Sequence, residues 1–143
     1  MVKRSIVSLL LVAAATPIAS AQWRVEGSLQ RLQSDREWET ARAALVAAGA
    51  EAVPALRERL RTSDGEPLLA SRVLLILGTL GADAATALED VMTVYEFAGE
   101  PEVRRQALWC IGQIAPFAFA SDDEADARRS LRQRVVDRLA PDA

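Results

Sequence analysis

The chain has 143 residues, enough for one domain, and its 17 basic and 20 acidic side chains leave a net charge of −3. Half of it is apolar but only 5% is aromatic, so a core must be built from Ala, Leu, Val and Ile, and the scarcity of Gly and Pro argues against both disorder and a turn-rich all-β fold. The acidic balance disfavours nucleic acid, whose phosphates need a basic face, and the single cysteine excludes an intrachain disulfide.

Residues 1–21 read as a secretory signal. Lys3 and Arg4 form a charged start, Ile6–Ala15 a short apolar run, and Ala19-Ser20-Ala21 a small-residue cleavage site after Pro17. The apolar run is shorter than the ~20 residues a membrane-spanning helix needs, so no stable span is expected after cleavage. The mature chain, 22–143, then carries 15 basic residues, all Arg, against 20 acids, a net charge of −5. Its expected location is the periplasm or the extracellular space.

From Gln22 to Asp35, the spacing of Val25, Leu29 and Leu32 predicts a short capping helix. Ser34-Asp35-Arg36-Glu37 has the capping-box pattern, which predicts a helix from there to Ala48 with Trp38, Ala41, Ala44, Leu45 and Ala48 inward. Gly49 is placed to stop it. A second helix is expected from about Glu51, with Pro54 in its first turn and Val53, Leu56 and Leu60 as its apolar stripe.

The next unit opens at Pro67. Its helix, Leu68–Leu80, is apolar on nearly every side, with Arg72 its only charge, so it needs neighbours on more than one flank. After Gly81 a partner helix is expected from about Asp83, carrying Ala84, Leu88, Val91 and Tyr95. A third unit opens at Pro101, buries Val103, Ala107, Cys110, Ile111 and Ile114, and is expected to close at Pro116; its Trp109, like Trp38 and Tyr95, is expected in the core. Leu131, Val135 and Leu139 mark a last helix.

The units repeat. Gly49 and Gly81 are 32 residues apart, as are Leu56 and Leu88, and Leu45-x-x-Ala48-Gly49-x-x-Ala52 superposes on Leu77-x-x-Leu80-Gly81-x-x-Ala84 and on Ile111-x-x-Ile114-Ala115-x-x-Ala118. A period of this size made of two helices predicts an all-α fold, an α-solenoid of about three antiparallel helix pairs behind an N-terminal cap.

The stretch Arg42–Leu56, with its Arg-Ala-rich helix, Gly49, and Ala52-Val53-Pro54-Ala55-Leu56, resembles the HEAT-like repeat family, especially the short phycobilisome-lyase type. Glu102–Leu108 is similar to that family's usual first-helix opening. The resemblance covers roughly residues 34–116, and Thr86 and Pro116 depart from it. It implies an α-solenoid that binds other macromolecules, with the second helix of each pair lining the concave side. On that basis the candidate partner-binding face comprises Arg57, Glu58, Arg61, Glu89, Asp90, Thr93, Glu96, Arg128 and Arg132.

Catalytic and cofactor signatures are lacking. There is no His, which removes the commonest general base and most zinc sites. Gly78-Thr79-Leu80-Gly81 lacks the Lys of a phosphate loop. Cys110, in an apolar helix without a neighbouring cation, reads as a core residue. Asp122, Glu124 and Asp126 have calcium-like spacing, but Ala127 and Gln133 stand where a calcium loop needs Gly and Glu. Arg128, Arg129, Arg132, Arg134 and Arg138 make the last helix basic, either as a solvated helix end or as a docking patch. Val73–Val103 holds six acids and no base. The reading that follows is a non-catalytic protein-binding or scaffold module of the cell envelope, with no cofactor or metal. An enzyme-associated lyase-like factor and a self-associating structural unit are the alternatives.

Overall fold

The computed structural model describes residues 17–119 and 125–140. Seven α-helices, α1 (Pro17–Arg31), α2 (Trp38–Ala48), α3 (Val53–Arg61), α4 (Pro67–Leu80), α5 (Leu88–Phe97), α6 (Pro101–Ala118) and α7 (Ala125–Leu139), account for most of the described residues. Two 3-10 elbows, Gly49–Ala52 and Gly81–Ala87, join α2 to α3 and α4 to α5. No strand occurs among the described residues. Most of the expected signal segment lies outside them, and the expected cleavage point after Ala21 falls within α1.

Helix α4 is the centre of the packing. It touches α2, α3 and α6, and Leu69, Ala70, Val73, Leu74, Ile76, Leu77 and Gly78 are all buried. Burying each large aliphatic side chain is worth about 1.5–3 kcal/mol, so no other helix contributes as much to the core. By length and composition Pro67–Phe97 is long and apolar enough to cross a membrane. Here that run is bent at Gly81, and α4 is packed within the bundle. The lone charge on α4 is satisfied by protein partners, its side chain only 12% exposed: Arg72 Nη1 donates to the Leu32 carbonyl at 2.7 Å, Nη2 pairs with Asp35, and the guanidinium stands 5.2 Å from the centre of the Trp38 ring. These contacts tie the α1–α2 turn to α4.

The elbows are built alike. Gly49 (φ 60°, ψ −133°) and Gly81 (φ 56°, ψ −115°) end α2 and α4 in a backbone region that L-residues rarely adopt. From Gly49 the elbow lasts 4 residues, and Pro54 sits in the first turn of α3. From Gly81 it lasts 7, because Thr86 stands where the first elbow leads into Pro54 and nothing presets a helical φ. Helix α5 therefore begins at Leu88, not near Asp83. In the third unit Ala115 replaces the glycine. With no residue there to favour positive φ, α6 runs on for 18 residues, with Pro116 inside it, to Ala118. Pro116 was expected to close this helix, but it removes one backbone donor and does not stop it.

Other expectations are corrected in detail. The Ser34 capping box does not form. The Ser34 carbonyl instead accepts from the Glu37 and Trp38 backbone N–H groups at 3.2 and 2.9 Å, Glu37 makes no side-chain cap and faces Arg31 at 3.8 Å, and α2 starts at Trp38. Ala44 is exposed, since the inward face of α2 is set by Ala41 and Leu45. Trp109 is 40% exposed, leaning out over the surface of α4. The remaining stripes, Val25/Leu29/Leu32, Val53/Leu56/Leu60 and Val103/Ala107/Cys110/Ile111/Ile114, are buried, as is Val135 of α7.

Candidate partner-binding face

Helices α3, α5 and α7 carry the predicted face, and its charges meet each other across helices. Asp90 of α5 receives two guanidiniums from α3: Arg57 Nε donates to Oδ2 at 2.6 Å and Arg61 Nε to Oδ1 at 2.7 Å. Glu58, on the same helix as Arg61, lies 3.5 Å from it. On the other side of α5, Arg134 Nη2 donates to Glu89 Oε1 at 2.6 Å, and Arg138 pairs with Glu96 at 3.1 Å, both from α7. Arg132 and Thr93 are exposed. The Arg128 side chain, and the acidic residues Asp122, Glu124 and Asp126, lie outside the described side chains.

Thus Arg57, Arg61 and Asp90 form one cluster, and Glu89 and Glu96 are each joined to a residue of α7. Arg132 is described with no partner of its own. Burial pushes the Asp90 carboxyl up, but the hydrogen bonds from Arg61 and Arg57 outweigh it and hold it below its ordinary value. Arg61 is raised, first by its hydrogen bond to Asp90. Asp90 is therefore a fixed anion between two cations at neutral pH, suited to holding α3 against α5. The surface pairs of α7 are individually weak, typically ~0–1 kcal/mol.

Beside this cluster lies a groove of about 680 Å³, between the α3–α4 turn and the α5–α6 junction. Its apolar wall includes Leu60, Ala70, Val94 and Val103, and Phe97, at 75% exposure, stands at its mouth. The spacing of α5 gives little notice of Phe97, which falls outside the Leu88/Val91/Tyr95 stripe just before Ala98-Gly99. An aromatic off the buried stripe beside a helix end is the one signal that marks it.

The Cys110 thiol is fully buried, and burial pushes its pKa up to about 12, so it is held as a neutral core group. Among the described residues no cluster of three or more His, Cys, Asp or Glu could hold a metal ion. No family model, curated protein or solved structure matches this chain.

Proposed function

We propose that this chain is an exported, non-catalytic protein-binding or scaffold module, built as a HEAT-like α-solenoid that grips its partner along α3, α5 and α7. The observation that carries the reading is the pairing of charges across these three helices. Asp90 joins α5 to α3, and Glu89 and Glu96 join it to α7, which supports reading these three helices as one surface. The glycine elbow repeated after 32 residues and the contacts of α4 with both α2 and α6 support the repeat architecture. Binding modules of this kind offer an extended surface and few convergent reactive groups.

The test uses the full chain, expressed with a C-terminal tag and recovered from the cell envelope. Its N-terminal residue should be Gln22. Glu58, Thr93 and Arg132 are exposed and join none of the pairs that tie α3, α5 and α7 together, so Glu58→Arg, Thr93→Arg and Arg132→Glu together should leave the fold intact. A partner captured by the wild type and lost from this variant supports the reading. Equal capture by both removes this face as the site.

A second reading, self-association, draws on Leu108, Trp109 and Phe117 of α6 and Val136 of α7, which are 40–50% exposed. Sedimentation velocity across a range of concentrations decides it.

A further inference from the structure

The groove at the end of α5 has three properties that together define an occupant. First, it is a cleft with an apolar wall and an exposed aromatic at its mouth. A phenylalanine left 75% exposed is what an interface anchor looks like before its partner arrives. Second, the charges around it are one-sided. Arg61 is the single cation in the lining, and Asp90 and Glu58 already neutralise it. Asp64, Glu66 and Glu100 line the same space. Glu66 accepts a hydrogen bond from Gln33 Nε2 at 2.6 Å, while Asp64 and Glu100 have no side-chain partner among the described residues. Third, the adjoining helix is already a guanidinium acceptor within the chain: all three carboxylates of α5, Glu89, Asp90 and Glu96, are met by arginines from other helices.

We infer that this groove binds an arginine-rich, apolar-containing segment of a partner protein, which places one aliphatic side chain against Phe97 and its guanidiniums on Asp64 and Glu100. Phosphate-bearing ligands and anionic membranes are repelled by the same rim. A small cation is excluded as the main occupant because it would leave the Phe97 contact unused. The inference rests on the protein-binding reading above and names the chemistry of the partner.

The experiment is fluorescence anisotropy on the full chain with three short labelled peptides: alternating Arg and Leu, alternating Arg and Ser, and alternating Glu and Leu. The Arg–Leu peptide should bind, with affinity falling as salt rises. The Arg–Ser peptide should bind about tenfold more weakly, and the Glu–Leu peptide should not bind. Phe97→Ser should cost about tenfold for Arg–Leu and little for Arg–Ser. Asp64→Asn with Glu100→Gln should weaken both and flatten the salt dependence. All three positions are exposed, and an unchanged melting curve verifies the fold. Equal binding of the Arg–Leu and Arg–Ser peptides, unchanged affinity in both variants, or no binding at low salt overturns the assignment. If the envelope partner is still captured by both groove variants but lost from the Glu58/Thr93/Arg132 variant, the binding module stands and the groove assignment falls.

Discussion

Trp109 of α6 fills the space that a side chain at Gly78 of α4 would need. A Cβ at position 78 would stand 2.3 Å from the ring atom Cζ3, well inside any real contact. The glycine is thus required by packing, and the two helices approach at that point because it has no side chain. Gly78→Ala should destabilise the protein by about 1–3 kcal/mol, the usual cost of overpacking. Trp109→Ala in the same chain should recover part of that loss, because it removes the clashing ring. Urea denaturation of both single variants and the double gives the coupling energy. Additive effects would mean that the two residues do not meet.

Gly49 and Gly81 are needed for a different reason. A Cβ would stand 3.2 Å from the Asp83 carboxylate at the first and 3.7 Å from the Phe117 ring at the second. The backbone angle, more than space, is what an alanine would violate. Each Gly→Ala change should cost about 1–3 kcal/mol. Gly65 is also at positive φ, but in an exposed turn with nothing within 4 Å of an added Cβ, so it should cost less than either elbow glycine, where a neighbour adds to the angle. Thermal melts followed by circular dichroism rank the three.

The core prediction concerns α4. Leu77 is fully buried, and Leu77→Ala should cost about 2–5 kcal/mol. Leu77→Asp should abolish the cooperative melt, since it would bury an unpaired charge. A Leu77→Asp chain with full helicity and an unchanged melt would refute the central position of this helix.

Asp90 gives the acid limb of the stability curve. Its carboxyl is held below its ordinary value, so between the two values the unfolded chain binds more protons than the folded one. The stability it contributes is complete above the ordinary aspartate value, about 4, and is lost as pH falls through the lower folded value. Asp90→Asn should lower the urea midpoint at neutral pH and shrink the difference between neutral and acid midpoints. An unchanged difference would show that the two arginines do not hold this carboxylate.

Cys110 should be inert. With a buried thiol whose pKa is pushed up to about 12, a disulfide reagent at neutral pH should react only after denaturant is added. Rapid labelling of the folded chain would show that the α6 core is open.

The helical stripes were readable because period and chemistry agree: an apolar residue every three or four positions has few places to go but inward, and Val103, Ala107, Cys110 and Ile114 show it. The elbows were readable in position, from the two glycines, but not in length, since the difference turns on Pro54 against Thr86. The candidate face was legible as a set of charges and not as pairs. Arg61 and Asp90 are 29 residues apart and Arg134 and Glu89 are 45, and no local pattern says which distant charges will meet. Trp109 was misread because its neighbour Cys110 is on the buried stripe of α6 and Trp109 itself is off it, while Gly78 opens a seat for its ring on α4. The groove was not legible at all, because it forms where the α3–α4 and α5–α6 loops, distant in sequence, come together.

Helix α5 spans ten residues, shorter than an isolated helix needs to persist in water. Its Glu89 and Asp90 suit the positive end of the helix dipole, but Glu96 sits near the negative end, and no cation of its own offsets it. The missing charge comes from both flanks, Arg57 and Arg61 on one and Arg134 and Arg138 on the other. Neither half of the protein therefore holds a complete set of partners for its middle. Cutting the chain at the α3–α4 turn should leave two fragments that are each unfolded alone and regain helicity only when mixed, so the helices on either side of that turn melt together and not one at a time.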